Sequence, residues 1–177
     1  MVKYENFPTP VPMSDTINAK ALSVNTPEND TIPAEARIVV ITPSAACYVK
    51  IGATGNNATV PGDTTDGSAS ELIPVNGSIV RSLQGARTRG YIAASSAALT
   101  VESTDGITVG DTLVVAGAGA AGADLTQTVS AVNHTTKVVT LGGNASTTVA
   151  GATVTETINQ VSVISASACI VTLAYYK

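Results

Sequence analysis

The chain has 177 residues, 44% of them hydrophobic and only 12% charged, with a mean hydropathy of +0.28, a balance that excludes bulk disorder. No apolar run reaches the roughly 18 residues of a spanning helix, so no membrane partner is expected. A net charge of −4 and a pI of about 4.8 argue against a nucleic-acid partner.

Residues 1–35 differ from everything after them. They carry Pro8, Pro10, Pro12, Pro27 and Pro33 and show no helical apolar period. The Pro8–Pro12 stretch favours polyproline II, which makes no internal hydrogen bonds. An extended N-terminal arm is therefore expected over 1–35, with Tyr4, Phe7 and Met13 as its sizeable anchors. The first eight residues contain no apolar core segment, so no secretory signal is expected.

From Ala36 the pattern becomes β. Arg37–Ile41 is β-branched, a turn at Pro43–Ala46 follows, and Cys47–Ile51 is a second strand. Residues 52–68 form a long loop rich in Gly, Asn, Asp and Thr. Glu71–Val75 and Ser78–Arg81 flank Asn76-Gly77, which predicts a tight hairpin, and Pro74 places its strand at an edge or bulge. Arg89–Ala93 is a further strand.

Residues 98–158 read as a second small unit. Leu99–Glu102, Thr112–Val115, Thr126–Val132, Lys137–Leu141 and Ala152–Thr155 recur between Gly- and Asn-rich turns, the spacing of a sandwich or barrel. Val161–Ser165 and Ala168–Tyr175 then resume the style of residues 36–51. The fold expected is all-β: an antiparallel β-sandwich (36–97 plus 159–177) with an extended N-terminal arm, interrupted by a small inserted β-barrel-like unit (98–158).

Chemistry-bearing patterns are sparse. Gly117-Ala-Gly119-Ala-Ala-Gly122 follows a strand, as a dinucleotide-binding turn does. That motif needs a helix opening at its third glycine, whereas the sequence continues with period-two alternation, so no cofactor is expected. Asp63–Gly67 lacks the bidentate acid of a calcium loop, because Pro74 occupies the twelfth position. The Asn-x-Ser/Thr sites at Asn29, Asn57, Asn76, Asn133 and Asn144 read as turn composition. Cys47 and Cys169 leave two readings, a disulfide or two reduced core thiols, and a chain without a secretory signal favours the second. His134, the single histidine, sits in a hairpin turn, and one His with two distant Cys has no zinc spacing, so no metal is expected. Glu71, Glu102, Asp105, Asp111, Asp124 and Glu156 are scattered and form no evident acid–base pair, so no catalytic residues are assigned and no enzyme is expected. Arg81, Arg87 and Arg89 make the one basic concentration, suited to docking an acidic neighbour or to a solvated strand rim.

A β fold built on Ala, Val, Thr and Gly buries little area per residue, while backbone ordering costs about 1–2 kcal/mol per residue regardless. Support from neighbouring subunits follows, and a cyclic homo-oligomer is the common arrangement. The segments Ala46–Gly52, Leu72–Gly77, Arg89–Ser95 and Ile170–Ala174 resemble a small β-sandwich family of tailed-bacteriophage virion proteins, over residues 36–95 and 159–177. Glu102–Val115 is similar to small β modules inserted into phage structural proteins. The resemblance implies a capsid decoration (cement) protein without catalytic residues. It would be made in the host bacterial cytoplasm and bound on the capsid surface of the virion, with the major capsid protein or other virion proteins as partners and a homo-oligomer, a trimer as first guess, as its form. Tyr4, Phe7, Met13, Arg81, Arg87 and Arg89 are its candidate interface residues. A head–tail connector or tail-fibre component is the alternative, and a host-surface or carbohydrate adhesion module a further one.

Overall fold

The computed structural model describes residues 16–62 and 70–177. The chain is all-β, with two four-stranded antiparallel sheets and one closed six-stranded barrel. Its strands in chain order are β1 (Thr16–Leu22), β2 (Glu28–Thr31), β3 (Ile38–Pro43), β4 (Cys47–Gly52), β5 (Glu71–Ile73), β6 (Ile79–Ser82) and β7 (Arg87–Ile92). They continue with β8 (Ala98–Val101), β9 (Thr112–Val115), β10 (Leu125–Asn133), β11 (Val138–Leu141), β12 (Val149–Glu156), β13 (Gln160–Ile164) and β14 (Cys169–Tyr176).

The sheets β1-β14-β3-β6 and β2-β13-β4-β5 pack face to face as a sandwich. Val39, Ile41, Val171 and Leu173 from the first meet Val49, Ile73, Val161 and Val163 from the second in one core. Cys47 and Cys169 enter that core from opposite sheets as free, buried thiols. Burial pushes the Cys47 thiol up to about 11, and the nearby Cys169 adds to the shift, so Cys47 is an inert apolar filler at neutral pH.

The arm expected over 1–35 is corrected from Thr16 onward. Residues 16–22 pair along their whole length with β14, and residues 28–31 pair with β13. The reason is an inverted pattern: β1 turns Asn18 and Lys20 toward the sandwich edge and Ile17, Ala19 and Ala21 outward. Those inward polar groups are satisfied by Asp30 on β2, which accepts from Asn18 Nδ2 at 2.7 Å and pairs with Lys20 Nζ at 3.1 Å. Tyr4, Phe7 and Met13 lie outside the described residues.

The hairpin predicted at Asn76-Gly77 is also corrected. β5 pairs with β4 and β6 with β3, so the turn carries the chain from one sheet to the other. Asn76 has φ 59°, and Gly77 N–H donates to Pro74 O at 3.0 Å, a turn with positive φ at its third position.

The barrel has the order β10-β11-β8-β7-β12-β9 and closes on itself. It takes in β7, so it begins ahead of the boundary expected at residue 98. Leu99, Val101, Leu113, Val115, Val129, Val139 and Val154 fill it. Gly90 makes room for that core, since a Cβ there would sit 2.9 Å from Leu99 Cδ1. The two chains that join barrel to sandwich run side by side. Ala86 N–H donates to Glu156 Oε2 at 2.8 Å, and Glu156 N–H to Ala86 O at 2.9 Å.

Candidate functional site

Three places on this scaffold bring functional side chains together. The first is an open cleft of about 440 Å³ between sandwich and barrel, whose lining includes Lys50, Glu71, Arg81, Thr108, Asp111 and Glu156. Arg81 on β6 and Glu71 on β5 form a two-pronged ion pair, with Nε to Oε2 at 2.8 Å and Nη2 to Oε1 as the second prong. The pair raises the Arg81 value and bridges the two sheets at one open edge, as Lys20–Asp30 bridges the other. Asp111 accepts from Thr108 N–H at 2.6 Å and Thr108 Oγ1 at 3.0 Å, closing its own turn. Burial nonetheless holds its carboxyl above the ordinary value, with the Thr108 bonds and the Lys50 charge opposing. Glu156 is pushed up to about 7, first by burial and then by the charge of Asp111, against the pull of its bond from Ala86.

Asp111 and Glu156 are 45 positions apart, and no sequence spacing brings them together; the barrel does. Chemically, Glu156 is a carboxyl able to gain or lose a proton near neutrality. Both carboxylates also hold local structure, Asp111 its turn and Glu156 the junction of the two units.

The second place is the outside of β7. Arg87, Arg89 and Tyr91 alternate outward and are exposed, flanked by Thr153 and Thr155 of β12 and by Glu102. Arg81, grouped with these arginines in the sequence, is set apart from them in the cleft, because the chain leaves the sandwich at Leu83–Ala86. His134 sits at the β10–β11 turn, its Nδ1 2.9 Å from Thr104 Oγ1. The Gly117–Gly122 stretch is a loop with one 3-10 turn at Ala120–Gly122 between β9 and β10. Among the described residues no group of three or more His, Cys, Asp or Glu is placed to hold a metal ion, and no helix is long and apolar enough to cross a membrane.

The third place is the outer face of β1-β14-β3-β6. Ile17, Ala174, Val40 and Val80 lie in one cross-strand row, with Ala19, Thr172 and Thr42 in the next. No charged side chain points outward from these four strands. Ile17 is 64% exposed and Val80 and Ile170 are 57% exposed. The opposite sheet is treated differently. Residues 53–62 cross its outer face, where Ala58 N–H donates to Ser162 Oγ at 2.8 Å and Gln160 Nε2 to Asn57 Oδ1 at 3.3 Å. Both sides of β13 are buried as a result. Sequence reading missed the bare face because its outward residues on β1 were assigned to the arm.

Comparison with protein families, with curated proteins and with solved structures finds no match to this chain.

Proposed function

We propose that this chain is a structural protein of a tailed-bacteriophage virion, a decoration protein that binds the head exterior as a homo-oligomer. The observation that carries the docking part of this reading is the uncharged outer face of β1-β14-β3-β6. Four strands about 4.8 Å apart and about six residues long at about 3.3 Å each give a face of roughly 400 Å², the size of the largest patch on an ordinary monomer, which is often functional. The virion setting is supported by the resemblance over residues 36–95 and 159–177. In this reading the segment before Thr16 lies across capsid subunits, with Tyr4, Phe7 and Met13 as anchors and the sandwich bridging subunits.

The test is a coating assay on undecorated head particles. Deleting residues 1–13 leaves a folded protein that no longer coats them, and normal coating by the truncation overturns the arm's role. The stripe Arg87–Arg89–Tyr91 favours a second reading, adhesion to an acidic surface polysaccharide. Retention on a uronic-acid polymer that is lost in Arg89→Ala would favour adhesion over decoration.

A further inference from the structure

We propose that Lys50 and Asn56 condense with each other in the folded chain. The Lys50 amine displaces ammonia from the Asn56 side-chain amide and leaves an amide cross-link between β4 and the strap of residues 53–62, with Asp111 carrying the proton. The inference is independent of the virion reading.

The backbone brings the three groups together. Lys50 and Gly52 stand two residues apart on β4 and share its outer face. Past Gly52 the chain turns back, with Asn56 N–H donating to Ala53 O at 3.0 Å and Gly55 at φ 93°. A second bond holds this turn to the end of the barrel's return strand, from Thr54 Oγ1 to Asn159 Oδ1 at 3.1 Å. The Asn56 side chain therefore lies over Gly52, where a Cβ would sit 2.8 Å from Nδ2. Gly110, in the turn before β9, supplies a second gap from the barrel. The space its Cβ would take is bordered by Asn56 Oδ1 at 3.3 Å, Lys50 Nζ at 3.5 Å and Asn56 Cγ at 3.9 Å. The amine and the carbonyl carbon it attacks thus face one methyl-sized space. Reacting atoms need an approach of about 3–3.5 Å, and the flexible four-carbon stem of a lysine covers the remaining distance.

The third group stands at the leaving atom. Asn56 Nδ2 donates to Asp111 Oδ1 at 3.5 Å. Asp111 is 3% exposed, and burial holds its carboxyl above the ordinary value against the pull of Thr108, Lys50 and Asn56. Burial favours a neutral amine beside a protonated acid over the ion pair, and that neutral pair is the reactive one. The unprotonated Nζ attacks Cγ, and Asp111 gives its proton to Nδ2. The Cγ–Nδ2 bond breaks, ammonia leaves, and Nζ returns its surplus proton to the Asp111 carboxylate. Asp111 is regenerated, and no oxidant or other co-reactant is consumed. One event per chain suffices, so a small fraction of unprotonated amine is enough, and fixed neighbours react with effective molarities of about 10⁵–10⁸ M.

The test is the intact mass of the purified full-length protein after overnight incubation, followed by tryptic digestion in denaturant. The result expected is a chain lighter by one ammonia. Trypsin then fails to cut after Lys50 and releases residues 38–81 as one fragment, because the Lys50 amine is consumed. Lys50→Arg restores the full mass, and Asp111→Asn slows the loss of ammonia about a hundredfold. A wild-type chain of full sequence mass that is cut after Lys50 overturns the proposal and leaves the three groups in non-covalent contact. Ammonia loss that persists in Lys50→Arg marks a succinimide at an asparagine and overturns it as well. So does a loss of water with the cross-link at Asp111, which names the wrong acceptor. The wild-type mass alone decides, whether or not either variant folds.

Discussion

Asp30→Ala removes the group on which one edge of the sandwich converges. The Asp30 carboxylate, 7% exposed, accepts from Asn18 Nδ2 at 2.7 Å and from Tyr175 Oη at 2.8 Å, and pairs with Lys20 Nζ at 3.1 Å. It therefore ties β2 of one sheet to β1 and β14 of the other. Each hydrogen bond to a charged group contributes about 1.5 kcal/mol, and the Lys20 pair less, because its ammonium is partly solvated. The truncation also takes this acceptor from the buried Tyr175 phenol, so the loss is about 3 kcal/mol, against about 1 kcal/mol for Tyr175→Phe. Urea unfolding followed by far-UV dichroism measures both, and a double-mutant cycle gives a coupling of about 1 kcal/mol between the two sites. The pH dependence has a definite sign. Burial raises the Asp30 value, but the bonds from Asn18, Tyr175 and Lys20 outweigh it and leave the carboxyl below its ordinary 3.8. The stabilisation is thus present above pH 3.8 and lost as the pH falls through the lower folded value. Asp30→Ala removes that acid limb. A loss under about 1 kcal/mol, or additive effects of Asp30→Ala and Tyr175→Phe, would refute the network as a sheet-to-sheet tie.

Glu156 behaves with the opposite sign, its folded value of about 7 lying above its ordinary 4.5. Its contribution is complete below 4.5 and lost as the pH rises through about 7, so Glu156→Gln flattens that loss and stabilises the protein at pH 8 by about 1 kcal/mol, a figure reduced for the open cleft; an unchanged thermal midpoint across pH 5–8 would count against it. Gly85→Ala puts a Cβ 2.6 Å from Glu156 O and costs about 1–3 kcal/mol in urea unfolding, whereas Gly62→Ala meets nothing within 4 Å and stays near neutral. Equal costs for the two would show that the crossing at Gly85 is not tight. Cys47 and Cys169 stay unmodified by an aromatic disulfide reagent at pH 8 in the native protein and both react in urea. Stoichiometric native labelling within minutes would contradict their burial.

What was legible in the sequence follows from where side chains obey the period of two. The barrel strands β8 to β12 alternate Val or Leu inward with Thr outward, and their spans fall within a few residues of those expected. β1 was illegible because its inward positions are Asn18 and Lys20, whose partner Asp30 lies on another strand. Asn76-Gly77 misled because positive φ at Asn76 serves a sheet-crossing turn as well as a hairpin. Which strand β6 pairs with is decided by β3, about 40 residues away, and no local signal carries that. The arginines were separable only once β6 and β7 were seen to belong to different units. The nearness of Asp111 to Glu156 is likewise a product of barrel closure.

Closure also decides which unit keeps open edges. The barrel has no edges, because each of its strands pairs on both sides. The sandwich has four, and it ties them two by two with Lys20–Asp30 and Arg81–Glu71. Among the described residues no further strand pairs with β1, β2, β5 or β6 on the outer side. The strap of residues 53–62 covers one broad face with apolar Ala58 and hydrogen bonds to Ser162 and Gln160. Nothing among the described residues covers the other. Since apolar burial returns about 25 cal/mol per Å², covering roughly 400 Å² there is worth at most about 10 kcal/mol before the costs of association, less the share of the face held by Thr42, Thr172 and Ser82. No comparable uncharged surface exists on the β7 side of the barrel, where Arg87, Arg89 and Glu102 stand in solvent. On the proposed reading, association is concentrated on the sandwich, and the barrel, joined through the Ala86–Glu156 crossing, projects from it.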